Sequence, residues 1–281
     1  MTPRSWNWGE WLPLYRGMER ATFPVAPNPQ PTEQPYPSIN LVRVNLDDPH
    51  ISTYSTPTSG LNVNGVTATA FLQATYNQPS QIALEGIVGI NANFFQYPTG
   101  PRNFVYGLAV SNLATVTWEN SNDGSSYYPV LITKTNQAVI GGENQPRSAD
   151  TWTAVSGNLL LLRNGQLAIP AANSGTKKPQ VAARTAIGVS YSPNYLYLLT
   201  VDGLESNDLQ PPYYGATEFD AAMLLLFAGA TDAIGMDGGG STTMGRIDNH
   251  GVVLMNTPYG DDHRPSSERA VGNCFAVIAY A

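Results

Sequence analysis

Residues 235–243 read Gly-Met-Asp-Gly-Gly-Gly-Ser-Thr-Thr, and they close the apolar run Thr231-Asp232-Ala233-Ile234-Gly235-Met236. A short apolar run bounded by turn formers predicts a buried strand. Asp237 then stands at the strand's end, with Gly238, Gly239 and Gly240 directly after it and Ser241, Thr242 and Thr243 beyond. Consecutive glycines let backbone approach a ligand closely and can aim several N–H groups at one point, a nest suited to an anion. The same dipeptides make ordinary hairpin turns, so composition alone leaves both readings open. The upstream flank organises the unit. Residues 215–230 carry a helix signal, with Thr217 as N-cap, Glu218 and Asp220 in the first turn, an apolar run over 221–227 and Gly229 as C-cap.

The rest of the chain is dominated by strand signals. Residues 39–46 alternate apolar and polar side chains, as a half-buried strand does. Further strands are expected at 86–95, 106–110, 130–133, 137–140, 154–162, 166–169, 184–189, 195–202, 251–255 and 270–280. Asn164-Gly165 is a hairpin turn between two of them. Residues 67–77 form the first helix, with Phe71, Leu72 and Tyr76 near one face, and 176–180 and 256–268 read as loops. Residues 1–37 are rich in Pro and Trp and read as an extended lead-in or surface loop. The expected class is α+β: mostly antiparallel sheets with two or three helices in a single compact domain over 38–281.

Composition narrows the function. Only 12% of the 281 residues are charged and the net charge is −7. No basic stripe is present, which argues against nucleic acid or anionic membranes as partners. The polar surface must therefore be largely Asn, Gln, Ser, Thr and Tyr, a composition associated with secreted and envelope proteins that handle sugars. No apolar stretch approaches the roughly 20 residues of a membrane span. The first residues lack the apolar core of a signal peptide. Cys274 is the single cysteine and lies in an apolar run, so it reads as a buried inert thiol.

Candidate chemistry is carried by few residues. Arg184 opens a strand among small apolar neighbours, where a guanidinium is costly unless paired; it is either a structural ion pair or a fork for phosphate or carboxylate. Glu268-Arg269, ahead of the last strand, presents the same choice. Asn91 and Asn93 stand at a strand end, where they are turn formers or present amides to a ligand, and Asp202-Gly203 ends another strand. Ser241 lacks a Gly-x-Ser-x-Gly frame and a placed histidine, and the chain has no zinc spacing and no nucleotide fingerprint. Metal-dependent phosphodiester cleavage would instead gather Asp202, Asp237 and Glu268 around calcium or magnesium. A third possibility is a non-catalytic carbohydrate-binding protein of the envelope.

Taken in order, Asn91-x-x-Phe94-Phe95, Arg184-Thr185, Asp202-Gly203, Glu218, Asp237-Gly238-Gly239-Gly240-Ser241-Thr242 and Glu268-Arg269-x-Val271-x-Asn273 resemble the phosphodiester glycosidase family across roughly residues 36–281. Ala92 and Asn93 stand where that family has two glycines. The resemblance implies a hydrolase that needs no cofactor and cleaves between a sugar anomeric carbon and a phosphodiester in a glycan or glycoconjugate, outside the cytoplasm. It implies Asp237 as the catalytic carboxylate, Glu268 as second choice, and Arg184 with the 238–241 backbone on the phosphate. Arg269 becomes a second clamp or a carboxylate's partner, and Asp202 and Glu218 are alternatives or orient the arginines. Asn91, Asn93, Phe95 and Thr242 fall on the substrate side. Oligomeric state stays open.

Overall fold

Period-two alternation of the kind seen in Ile39-Asn40-Leu41-Val42-Arg43-Val44-Asn45 recurs along the chain, and nearly half of the described residues are accordingly strand. The computed structural model describes residues 9–21, 38–57, 65–80, 82–96, 105–117, 125–169, 181–203 and 215–281. The expected loop at 176–180 and residues 1–8 and 22–37 of the expected lead-in lie outside them.

The largest sheet has eight strands in the order β1 (Trp11–Tyr15), β2 (Met18–Ala21), β3 (Ile39–Asn45), β14 (Asn194–Val201), β13 (Arg184–Tyr191), β15 (Asp232–Gly235), β11 (Leu159–Arg163) and β12 (Gln166–Leu167). A second sheet runs β17 (Gly251–Leu254), β16 (Met244–Asp248), β5 (Leu84–Asn91), β18 (Cys274–Tyr280) and β4 (Ile51–Ser55). A third runs β7 (Ala114–Thr117), β6 (Ala109–Ser111), β10 (Thr151–Gly157), β8 (Tyr128–Thr133) and β9 (Ala138–Ile140). Ladder pairings are antiparallel, as expected; β13, for instance, pairs Arg184 with Val201 at one end and Tyr191 with Asn194 at the other. Two helices, α1 (Ala68–Tyr76) and α2 (Glu218–Ala228), occur among the described residues. The molecule is therefore predominantly β, which corrects the α+β expectation.

Alternation along each strand sorts side chains into layers. Val42, Val44, Ile187, Leu198 and Ile234 of the large sheet meet Val88, Ile90, Phe275 and Val277 of the second sheet in one central core. Val130, Ile132 and Val155 of the third sheet close that core. On the large sheet's outer face, Leu199, Ala186 and Ala233 pack under Ala221, Ala222, Leu224 and Leu225 of α2. On the second sheet's outer face, Ile87, Ala276 and Ile278 pack against Phe71 and Leu72 of α1. Cys274 is wholly buried there, and burial raises its thiol pKa, so it is an inert core group.

Two local expectations change. Residues 154–162 are not one strand: the chain leaves the third sheet after Gly157 and joins the large sheet as β11. A Cβ at Gly157 would stand 2.1 Å from the Gly235 carbonyl oxygen, so only glycine fits this crossing. Residues 11–21, inside the expected lead-in, form the β1–β2 hairpin and extend the large sheet from β3. Their signal is short and lies in Pro- and Trp-rich surroundings.

Candidate active site

Three chain segments bring the functional side chains to one end of the large sheet. Arg184 is the first residue of β13, and Met236 continues past β15 by donating its N–H to Thr185 O at 2.8 Å. Asp237 follows, and its N–H reaches across to Ala92 O at 3.1 Å, tying the large sheet to the second one. α2 begins beside them because Ala216 pairs with Ala182 just before the helix. Thr217 and Asp220 form a capping box that fixes the first turn and the Glu218 carried on it.

These ends enclose an open cleft of about 470 Å³. Arg184, Glu218, Asp237, Gly238, Gly239 and Arg269 line it, and Leu159, Leu161, Ala182 and Phe94 supply an apolar wall. Arg184 donates from Nε to Ala216 O at 2.9 Å, and its Nη1 lies 2.9 Å from Glu218 Oε1. Its side chain is 17% exposed; burial lowers its pKa and the neighbouring Glu218 and Asp220 oppose that shift. The guanidinium is held in plane at the cleft wall.

The glycine turn is built differently from an open nest. Gly239, at φ 58°, donates its N–H to Ala183 O at 2.9 Å. Ser241 and Thr242 donate theirs to Gly238 O and Gly239 O at 3.2 and 3.1 Å, closing a 3₁₀ turn over Gly239–Ser241. Two of the four 238–241 N–H groups expected to converge on an anion, those of Gly239 and Ser241, thus satisfy local carbonyls instead. The glycines serve close approach instead. A Cβ at Gly240 would fall 2.5 Å from Arg269 Nη2, so the Arg269 side chain lies directly on the turn. Arg269 also donates from Nη1 to Ser241 Oγ at 3.3 Å and from Nε to Asp261 Oδ1 at 2.6 Å.

Several expected site residues stand away from the cleft. Asn91 is fully buried: its Nδ2 donates to Asp237 O at 2.7 Å, and its Oδ1 accepts from Thr185 Oγ1 at 2.8 Å and from the Thr243 N–H at 3.1 Å. Asn93 is equally buried, donating to Tyr106 O at 2.8 Å and accepting from the Ser156 N–H and from Asn273 Nδ2, both at 3.0 Å. Neither amide is offered to a ligand. Phe95 packs beside Val105 while Phe94, its neighbour, lines the cleft. Glu268 accepts from the N–H and the Oγ1 of Thr69 at the start of α1, so it anchors a helix instead of facing the cleft.

Asp202 is buried behind the turn, accepting from Asn256 Nδ2 at 2.8 Å and from the Thr257 N–H at 3.0 Å. Burial raises its pKa above the ordinary carboxylate value, against the pull of those two donors. Asn256 also donates to Thr242 O at 3.1 Å, and Thr242 Oγ1 is buried without a hydrogen-bond partner among the described residues. Among the described residues no three His, Cys, Asp or Glu side chains gather as a metal site, and Asp202, Asp237 and Glu268 are not brought together. Asn273 stands in the Glu268-Arg269-x-Val271-x-Asn273 motif, whereas the supporting residues Asn256 and Thr69 carry no sequence signal, since single polar residues acquire these partners only through long-range packing.

The cleft therefore joins two half-buried carboxylates (Asp237, and Glu218 paired with Arg184), two anchored guanidinium groups and an apolar wall. Such a set can hold an anion on the arginines and present a carboxylate to a neighbouring electrophilic centre. A model of the phosphodiester glycosidase family matches residues 85–278 of the chain. Curated proteins include no match by sequence. Among solved structures, the zebrafish N-acetylglucosamine-1-phosphodiester alpha-N-acetylglucosaminidase catalytic domain, auto-inhibited by its pro-peptide, is similar at TM-score 0.61 and 20% identity over 86% of this chain and 76% of that one. A hypothetical protein from Synechocystis (TM-score 0.55, 14% identity) is matched over 94% of this chain and 62% of its own length. A protein described as exported, from Burkholderia pseudomallei, also has TM-score 0.55 and 14% identity, over 85% and 73% of the two chains. At these identities the structures share the fold.

Proposed function

This chain belongs to the phosphodiester glycosidase family, a family of hydrolases, and from that premise we propose that it hydrolyses the bond between a sugar's anomeric carbon and a phosphodiester oxygen. The observation that carries this reading is the meeting of Asp237, Arg184 and Arg269 in one cleft beside the glycine turn. A departing phosphomonoester is a good leaving group, so the main demand is to stabilise its negative charge. Arg184 and Arg269 are the groups we assign to it, with Glu218 and Asp261 orienting their guanidinium planes.

Asp237 then supports the oxocarbenium-like anomeric carbon, as nucleophile or as base for water. Water adds to the anomeric carbon, the C–O bond to phosphate breaks, and the phosphate leaves as a monoester on its aglycone. Asn91 and the Ala92 carbonyl fix the backbone of Asp237 and so its side-chain origin. We place the substrate in an extracytoplasmic glycan or glycoconjugate, a setting that a charge-poor surface suits.

The test is turnover of sugar-1-phosphodiesters against plain nitrophenyl glycosides, with the phosphate located in the products. The expected result is free sugar and phosphate left on the aglycone. Asp237→Asn should lower kcat by about 10³-fold or more while leaving the unfolding transition in place. Phosphate retained on the sugar, or unchanged turnover in that variant, would overturn the assignment.

A further inference from the structure

A second groove, of about 580 Å³, opens at the other end of the large sheet. Strand β13 runs from Arg184 at the cleft to Tyr191, seven residues further on, which at about 3.3 Å per residue separates the two ends by roughly 23 Å. Trp152, at the start of β10, lines the groove between the turn carrying Asp47 and Asp48 and the turn carrying Lys134 and Thr135.

The walls are cross-linked by the side-chain amides of Asn194, which is buried, and Asn136, which is half-buried. Asn194, 7% exposed, donates from Nδ2 to Asp47 Oδ1 at 3.0 Å on one lip and to Asn136 O at 3.2 Å on the other. Asn136 donates across to Ile51 O at 2.8 Å, at φ 56°. Trp152 Nε1 donates to Thr53 O at 3.2 Å, which locks the indole plane while the ring stays half-exposed. The groove is thus preformed, with an aromatic face, two buried aliphatic floor residues (Leu46 and Ile51) and polar groups at its edges. Four apolar residues (Leu46, Pro49, Ile51 and Trp152) share the lining with six polar or charged ones, the mixture that a ligand with both an apolar face and a polar rim calls for.

Charge narrows the ligand. Asp47 and Asp48 are balanced by Lys134 and by Arg16, whose Nε lies 3.6 Å from Asp48 Oδ2. No excess of positive charge is available for a phosphate. A pyranose matches better: its C–H face covers an indole ring, and its hydroxyl rim exchanges hydrogen bonds with carboxylate, ammonium and hydroxyl groups. We propose that this groove is a second, non-catalytic site for a neutral pyranoside segment of a glycan. It stands independently of the reading at the cleft, and it would let the chain hold a glycan at a distance from the reacting bond.

The test uses the whole isotope-labelled protein titrated with chitotetraose, cellotetraose and maltotetraose at millimolar concentration, following the Trp152 indole N–H signal. The expected result is a saturable shift with at least one tetraose. Trp152→Ala, followed through the backbone amide signals of Lys134, Thr135 and Asn136, should weaken that binding about tenfold or more while leaving turnover of a small sugar-1-phosphodiester unchanged. Asp237→Asn should keep the binding, so failure of the catalytic reading and failure of this one are separable. Should none of the three sugars move the indole signal, or should Trp152→Ala bind as tightly as the parent, the groove is not a glycan site. The indole signal of the parent protein decides the first of these outcomes whether or not the variant folds.

Discussion

Asn91 shows how a residue with a binding-site look becomes a structural one. Its amide satisfies the Asp237 carbonyl, the Thr185 hydroxyl and the Thr243 N–H in a site closed to solvent. Truncation to alanine strands all three, at roughly 1–3 kcal/mol for each buried unsatisfied group. We therefore expect Asn91→Ala to lower unfolding stability by about 3 kcal/mol or more in urea titrations. If Asn91 bound substrate instead, KM would rise with stability unchanged. Asp202 makes a second prediction, in pH. Burial raises its folded pKa above the ordinary 3.8, so the folded state binds the proton more tightly than the unfolded chain. Stability contributed by this group is then full below 3.8 and is lost as pH rises through the raised folded value. In Asp202→Asn that titration is gone. The parent's stability relative to the variant should therefore fall as pH rises through that window, measured by unfolding of both proteins at matched pH. A relative gain on raising pH would refute the raised pKa.

At the scale of elements, the site depends on what the glycine turn allows other segments to do. The turn is closed by its own 3₁₀ hydrogen bonds, and its absent side chain at Gly240 leaves room for Arg269. Gly240→Ala would press a methyl onto Arg269 Nη2 and toward Tyr259 O, which lies 3.0 Å from the Cβ position. Arg269 is anchored to Asp261 and Ser241, so it must give up one of these contacts to move. We expect kcat/KM for a sugar-1-phosphodiester to fall about tenfold, less than the 10²–10³-fold of deleting a charge-stabilising donor outright. An unchanged value would show that Arg269 has no part in substrate handling. Glu268 belongs to this scale as well. It holds the first turn of α1 through Thr69, which couples the helix on the second sheet to the neighbouring Arg269.

Across the whole molecule, the β1–β2 hairpin joins distant parts of the chain. Tyr15 lies over Gly86, where a Cβ would stand 2.3 Å from its Cζ, and its hydroxyl donates to Asp248 Oδ2 at 3.0 Å while accepting from Arg246 at 3.2 Å. Burial, ahead of these partners, pushes its pKa up to about 12. Tyr15 and Met18 are 9% and 1% exposed, and burying two such side chains contributes roughly 3–6 kcal/mol. Removing residues 1–21 would lose this and leave β3 as an unpaired edge, a template for association. The expected outcome is a lower unfolding midpoint and concentration-dependent aggregation by light scattering. A monomer of parent stability would show that the hairpin contributes nothing.

Local patterning was sufficient to locate most elements and to single out the Asp237 turn, because strand alternation, the Thr217–Asp220 cap and consecutive glycines are read over a few neighbouring residues. It also singled out Arg184 and Arg269, and the family resemblance added Glu218, among the residues that meet. It did not separate the strand break at Gly157 from a continuous strand, nor the hairpin at 11–21 from a loop. It could not tell that Asn91 and Asn93 face inward, that Glu268 turns to α1, or that Asp202 lies behind the turn. Those outcomes depend on which partner, tens to hundreds of residues away, each polar group meets. A side chain's donors and acceptors are set by its own chemistry, whereas the groups that satisfy them are set by the packing of whole sheets.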